Sequence, residues 1–521
     1  MTKRFLKVIA PLSAAAVAVA LLLGACSSVA PPVQREAGRA YELVLLHTND
    51  YHGAIVPVNG QGGIAEIATL VGQVRERHGN VLVLDAGDMN AGQPISNMFG
   101  AEPDILAFNM IGYDAMTLGN HEFDRGRALL ETQMAMARFP FLSANTMDGR
   151  NLLAQPYVVK NYEGFRVGVF GITTARSTVL AANSFTASLD FTDEIEAAKR
   201  MVDTLRNRER VDIVIALVHM GDRSETAEHI SSVDLAAAVP GIDLVIDGHH
   251  HTLFPEPLFV ENVSGASAPV VSAGDRGRWV GRADISIVDG AIVGFDWVTL
   301  PVTGLAPDPA VAAMLAPFRE IADASLKEVV GQASGDFPQS RVRYEETALG
   351  NIINDGIAWW IRDELNQSVD FVFTNGGGIR APLQSGAITR EDILTVLPFE
   401  NYVMIASITG ARLIEMFDFV ATIPLGNGAF PQFSSDVRYA RGASGGITAL
   451  TIGGAPIDPD RIYRFSTNDF VMRGGDGYSM MAWATEIFDT SQLVSTALIE
   501  FMSLTGGNIS PALDGRVVIE L

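Results

Sequence analysis

The sequence predicts a two-domain α/β protein. Its 521 residues exceed what one hydrophobic core fills, because single cores stop growing at about 250–300 residues. From residue 41 to 302, short apolar runs alternate with stretches of helical spacing. That is the pattern of a layered sheet whose strands are buried between helices. Beyond 303 the texture changes, first to a mostly helical stretch, then over 341–521 to a mixture of helix, strand and glycine-rich turns.

The first element precedes the fold. Lys3, Arg4 and Lys7 lead an apolar run from Val8 to Leu23, followed by "LGAC". A basic start and a run this short predict a secretory signal over 1–25 rather than a spanning helix. Cys26 is the only cysteine, and it follows the small pair Gly24–Ala25. The arrangement resembles a bacterial lipobox, which implies cleavage before Cys26 and lipid attachment to its sulfur. Residues 26–40 then read as a tether. The serines after Cys26 suggest the periplasmic face of an outer membrane, with the folded part anchored but not crossing. With no other thiol, disulfides and cysteine metal ligands are excluded from the mature chain. The composition, 48% hydrophobic and 19% charged, is that of a folded globular protein. The net charge of −23 argues against a nucleic-acid polymer as partner, since phosphate backbones are held by Lys and Arg.

Within 41–302 the strands are "YELVLLHTND", "NVLVLDAGD", "AMTLGNH", "FRVGVFGIT", "VDIVIALVH" and "IDLVIDGHH". Helices are expected over "GGIAEIATLVGQVRERH" and "DEIEAAKRMVDTLRNRE". The apolar runs share one property. They end in Asp50 and His52, in Asp85 and Asp88, in Asn120, His121, Glu122 and Asp124, in His219, and in His249, His250 and His251. The carboxyl ends of strands in an α/β sheet converge on one edge, where ligands bind. Imidazole and carboxylate donors without thiolate suit Zn²⁺, Mn²⁺, Fe or Co. The donors suffice for two ions, which in such sites lie about 3.5–4 Å apart.

"HTNDYHG", "DAGD", "GNHEFD", "VHMG" and "GHHH", in that order, resemble the motif set of the calcineurin-like metallophosphoesterases, and more narrowly that of the 5′-nucleotidase family. The resemblance covers nearly all the chain after the tether. It implies an α/β/β/α metallophosphoesterase domain over 41–302, a helical linker over 303–340 and a smaller α/β substrate-binding domain over 341–521. It also implies that Asp50, His52 and His251 bind one metal ion, that Asn120, His219 and His249 bind another, and that Asp88 bridges them. His121 would face the substrate phosphate, oriented by Asp124.

His249 and His251 alternate along an extended segment and can point to one side, which leaves His250 turned away. Serine is the usual residue of the family at that position. Asp247 and Asp85 read as structural acceptors and Glu122 as a helix-start carboxylate. His47 is expected to pack beside its strand, and His78 and His229 to be solvated on helices.

In the second domain "TNGGGIR" runs off an apolar strand into three glycines and an arginine, which lets a backbone approach a ligand closely. With "RYEETALGN", "LPFEN", "GAFPQ" and "FVMRGGDGY" it resembles the nucleotide-binding domain of the same family. The resemblance implies Arg343 and Arg380 at anionic groups and Asn375 near sugar or base. Phe430 and Phe470 would stack on the base from loops, and Asp476 and Asn120 would also contact substrate. The activity implied is phosphate release from nucleoside 5′-monophosphates, with UDP-sugars and 2′,3′-cyclic nucleotides as further substrates. Domain rotation about a hinge near 330–345 is implied as well. The alternatives are a thiosulfohydrolase of the sulfur-oxidising branch, which the aromatic pair and Asp476 oppose, and a non-catalytic nucleotide-binding lipoprotein.

Overall fold

A computed structural model describes residues 30–31, 33–58, 60–90, 92–177, 186–224, 229–399, 401–443 and 445–520. The signal segment and Cys26 lie outside the described residues. Among those described, no helix is long and apolar enough to cross a membrane.

Twelve strands make up the two main sheets of the N-terminal half: β1 (Ala40–Thr48), β2 (Val81–Asp85), β3 (Ala115–Thr117), β4 (Phe141–Leu142), β5 (Tyr157–Tyr162), β6 (Phe165–Thr173), β7 (Ile213–His219), β8 (Leu244–Ile246), β9 (Leu258–Glu261), β10 (Ser267–Val271), β11 (Trp279–Val288) and β12 (Ala291–Pro301). They form two six-stranded sheets, ordered β12-β11-β1-β2-β3-β4 and β9-β10-β8-β7-β6-β5. The sheets face each other. Leu43 and Leu45 of β1 and Leu82 and Leu84 of β2 meet Val167, Ile213, Ile215 and Leu244 in one buried cluster. Their neighbours Val44, Leu46 and Val83 point the other way, into a second core under helices α1 (Ile64–Arg75), α2 (Glu102–Ile111) and α3 (Arg127–Met136). The far face of the second sheet is covered by α4 (Glu194–Asp203) and α5 (Ser232–Ala238). The result is an α/β/β/α sandwich. Burial on both faces is why the central strands read as unbroken apolar runs.

β1, β2, β3 and β4 run parallel, as do β6, β7, β8 and β10. Thr48 pairs with Asp85, and Thr173 with His219, so the carboxyl ends of both sheets lie level. The hairpin β11–β12 extends the first sheet antiparallel to β1 and was not among the expected strands.

Helix α6 (Pro309–Leu326) follows, capped by Asp308, whose side chain accepts from the N–H groups of Ala310 and Val311. Its Val311, Leu315 and Ala322 bury against the first domain. Residues 329–333 were expected inside a helix-and-loop linker. They instead form a strand that pairs with Gly386–Thr389 and with Asn508–Ile509. A strand whose partners lie so far along the chain leaves no local periodicity. Helix α7 (Ala348–Asp363) comes next. A five-stranded sheet lies at the centre of this half: β13 (Phe371–Asn375), β14 (Tyr402–Thr409), β15 (Pro431–Phe433), β16 (Ile462–Asn468) and β17 (Thr485–Leu493), ordered β15-β13-β16-β14-β17. The C-terminal half has its own two core clusters.

Candidate active site

Three groups of donor atoms meet at the level strand ends: Asp50, His52 and His251; His52, Asp88 and His121; Asp88, His219 and His249. Each group has its ligand atoms within 4.8 Å of one another. The backbone works to bring them there. Asp50, His52, Asp88, His249 and His251 all have positive φ, between 48° and 87°. Such conformations cost of order 1–3 kcal/mol each for non-glycine residues and persist where surrounding contacts over-determine them. Here the contacts are backbone bonds between loops: Asp50 N–H to Gly87 O, His52 N–H to Asp88 O, and His249 N–H to the Asp50 carboxylate at 2.8 Å.

The hydrogen bonds fix the tautomers. His52 Nδ1 lies 3.0 Å from Asn90 O and His219 Nδ1 lies 2.8 Å from Ala86 O. A carbonyl only accepts, so each Nδ1 carries a proton and each Nε2 is left to face the donor group. Burial favours the neutral ring at both, but at His219 the Asp88 and Asp50 carboxylates outweigh it and raise the ring to about 10. His52 Nε2 and His251 Nε2 face each other at 3.0 Å. His219 Nε2 is 3.0 Å from an Asp88 oxygen, yet is not aligned for a hydrogen bond. The buried Oδ1 of Asn120 also has no partner. Burial pushes His52 down to about 3 and lifts Asp50 to about 7. Burial would also raise Asp88, but His219 and His121 outweigh it and hold that carboxylate well below its usual range. Converging imidazole nitrogens, an orphaned Asn120 oxygen and buried carboxylates fit divalent metal ions.

His121 sits beside this group, its ring centroid 5.2 Å from that of His52. Its Nδ1 is 2.5 Å from Asp124 Oδ2, and its backbone N–H donates to Asp88 Oδ1. Burial works against its charge, but Asp124 and Asp88 raise it to about 10. Across the domain interface, the Tyr402 hydroxyl lies 3.4 Å from Asp124 Oδ2.

Around the donors stand groups that read differently in three dimensions. Asp85 accepts from the Thr48 hydroxyl and Gly87 N–H, and Asp247 from three backbone N–H groups and the Ser232 hydroxyl. Glu122 is the helix-start carboxylate of a short turn, as expected, but it does more: besides Gly119 N–H just ahead of that turn, it accepts from the N–H groups of Asp88, Met89 and Asn90 in the loop after β2. Burial and the Asp88 charge lift it to about 7, against the pull of those donors. His250 is 2.7 Å from Asp222, with its ring against His249. His47 is buried and stacks on Trp297.

His229 corrects an expectation. It is not solvated but 2% exposed, with Nε2 bonded to Met220 O, because it precedes α5 in a loop folded over the strand ends. His78 lies just past α1, half-buried, with Nε2 3.2 Å from the Arg282 guanidinium. Asp275 was missed. It is buried, 3.6 Å from His251 Nδ1, and held by Arg278. Its signal was present: "APVVSAGD" repeats the apolar-run-then-"AGD" form of "VLVLDAGD".

The second-domain candidates gather elsewhere, round the turn Gly376–Gly378. Asn375 donates to Asp476 at 2.7 Å and accepts from Asn468 at 2.9 Å. Arg380 leans on Gly377 O and over the Phe399 ring. Arg343 is half-buried with its Nε unpartnered, and its carbonyl accepts from Gly426 N–H. Phe470 is 43% exposed beside Gly475. Phe430 departs from expectation. Its backbone is in a turn closed by its N–H to Asn427 O, but its side chain is 2% exposed and belongs to the hydrophobic core. It offers no open face to a base. Two interdomain cavities reach the first group, about 300 Å³ at His121 and about 670 Å³ at His52. Neither is lined by Arg343, Asn375, Arg380, Phe470 or Asp476.

Comparison with known proteins agrees with both halves. Residues 43–253 match the calcineurin-like phosphoesterase model, and 329–483 match the model of the 5′-nucleotidase C-terminal domain. A 5′-nucleotidase of Vibrio cholerae is 33% identical over 510 residues, covering 88% of this chain and 90% of that protein.

The chain belongs to the 5′-nucleotidase family.

Protein UshA of Escherichia coli is 31% identical over 89% of this chain and 91% of its own length. Among solved structures, a 5′-nucleotidase precursor from Thermus thermophilus aligns over 92% of this chain and 99% of that one, at 28% identity and a TM-score of 0.65. A Staphylococcus aureus structure titled putative 5′-nucleotidase has a TM-score of 0.74 at 20% identity, which speaks to the fold alone. The chain is therefore a metal-dependent phosphoesterase that acts on nucleotides.

Proposed function

We propose that the chain releases phosphate from nucleoside 5′-monophosphates at a centre built for two divalent ions. Asp50, His52 and His251 would hold one, Asn120, His219 and His249 would hold the other, and Asp88 would be shared between them. The observation that carries this reading is the convergence of imidazole nitrogens and carboxylates at the strand ends, with His219 Nε2 and Asn120 Oδ1 left without hydrogen-bond partners. The donor chemistry admits Zn²⁺, Mn²⁺, Fe or Co. When bound, such ions supply Lewis-acid charge at the phosphoryl oxygens and an activated water.

The residues of the chain do the rest. Asp124 accepts a hydrogen bond from His121 Nδ1–H and so directs Nε2–H towards the phosphoryl group, where a fixed donor offsets developing charge. Phe470 offers the exposed ring on which a base stacks, Asp476 and Asn375 receive the sugar, and Arg343 and Arg380 attract the anionic groups. Phe430 supports this loop from the core. We place the domain borders at 302 and 329, the latter because residues 329–333 pair with strands of the second domain, and the hinge just ahead of that strand rather than within 330–345. The anchor is a lipid on Cys26, which would hold the enzyme at the periplasmic face of an outer membrane. A second reading, hydrolysis of larger conjugates such as UDP-sugars, is favoured by the roomy cavity beside His52. Phosphate release from AMP with added Mn²⁺ or Zn²⁺, repeated after chelation, tests the first reading. Release that is absent with metal, or undiminished by chelation, sinks it.

A further inference from the structure

Glu122 is buried at 2% exposure and lies on the turn that follows Asn120 and His121. Its Oε2 accepts the N–H of Asp88 at 2.9 Å and of Gly119 at 2.7 Å. Its Oε1 accepts the N–H of Met89 at 2.9 Å and of Asn90 at 3.2 Å. The donors belong to two different strand ends. Asp88, Met89 and Asn90 follow β2, and Gly119 follows β3. Gly87 and Asp88 both have positive φ, 89° and 58°, and the N–H groups of Asp88, Met89 and Asn90 all point at the Glu122 carboxylate. A concavity of this kind binds an anion. Here the anion is a side chain of the chain itself.

We propose that Glu122 is a positioning residue for the metal centre: it clamps the loop of Asp88 to the loop of Asn120 and thereby sets the spacing of donors to both ions. The proposal rests on the two-metal reading. Three consequences of the clamp reach donor atoms. It fixes the strained backbone of Asp88, the bridging carboxylate. It fixes Gly119, next to Asn120. It fixes Asn90, whose carbonyl holds the His52 ring in its tautomer. A neutral amide cannot replace the carboxylate, because its NH₂ would face two backbone N–H groups where only acceptors fit.

The test uses Glu122→Gln, Glu122→Asp and a control. Glu346 makes the same kind of clamp far away, accepting the N–H groups of Asp514, Gly515 and Arg516 within the second domain. Glu346→Gln therefore inflicts a comparable structural insult without touching the metal loops. Mn²⁺ affinity is read by competition with a chelating dye, well below the melting temperature of each variant. Glu122→Gln is expected to bind Mn²⁺ about tenfold or more weakly, the range seen when partners behind metal ligands are lost. Glu122→Asp keeps the charge and is expected to fall between it and wild type, and Glu346→Gln to bind as wild type does. Affinity of Glu122→Gln within twofold of wild type overturns the proposal, as does equal weakening by Glu346→Gln. If Glu122→Gln does not fold, Glu122→Asp carries the test, and unchanged affinity there overturns it. A wild-type chain that binds no Mn²⁺ sinks the two-metal reading and the clamp with it; normal wild-type binding with an unaffected Glu122→Gln sinks the clamp alone.

Discussion

His121 and His47 are both buried imidazoles, and their surroundings give them opposite behaviour. At His121, burial is outweighed by Asp124 and Asp88, and the ring is held as a cation, raised to about 10. Replacing it with alanine removes a donor that acts on the reacting phosphoryl group but not, in our assignment, a metal ligand. Phosphate release from AMP is expected to fall about 10²-fold or more, with metal content by elemental analysis unchanged; collapse of the metal content would show the role to be wrong. At His47 burial dominates and pushes the ring down to about 3, with only slight relief from the Thr48 backbone, and neither nitrogen has a hydrogen-bond partner. The unfolded chain takes up this proton below about pH 6.5 and the folded chain does not. Stability is therefore full above that pH and declines as the pH falls, down to about pH 3. The slope from this one group is about 1.4 kcal/mol per pH unit. In metal-free protein, His47→Leu is expected to flatten the acid limb of urea-unfolding stability by that amount. An unchanged limb would place the lost proton elsewhere.

At the scale of elements, the site is a property of strand ends. Apolar runs closing on Asp, Asn or His were legible because a doubly buried strand must be apolar throughout, so a polar residue at its end stands out. Asp50, Asp88, His219 and His249 were found this way, and Asp275 could have been. What stayed hidden depended on partners distant in sequence. Residues 329–333 become a strand by pairing with 386–389 and 508–509. Phe430 sits in a turn-like segment whose side chain nonetheless reaches the core. His229 lies in a loop that folds inward. Glycine spacing marks the same tight junction between strand ends. A Cβ on Gly119 would lie 2.1 Å from Asp88 Oδ1 and 2.6 Å from Asp88 N. Neither the buried carboxylate nor the backbone can give way. Gly119→Ala is expected to displace Asp88 and lower bound metal below wild type in elemental analysis of the purified protein, with far-UV circular dichroism retained. Full metal content would mean that Asp88 is not the bridge.

At the scale of the whole molecule, the groups that would read the nucleotide and the groups that would hold the metals stand apart. Asn375, Phe470 and Asp476 cluster on the second domain, while the two cavities that reach His52 and His121 are lined on that side by other residues, such as Tyr402, Phe399 and Thr496. Neither cavity is lined by both groups, and the rotation we propose for the second domain would bring them to one substrate. The Tyr402–Asp124 contact would then mark a resting arrangement that turnover must break. Met98 and Thr496 line both cavities from opposite domains. Cysteines at these two positions, joined by a short reversible thiol cross-linker, are expected to abolish AMP hydrolysis and to recover it on reduction, while Mn²⁺ binding is unaffected because every proposed ligand lies in the first domain. Undiminished turnover in the fully cross-linked protein would mean that the nucleotide is read without rotation, and the assignment of Phe470 and Asp476 as its readers would fall with the hinge.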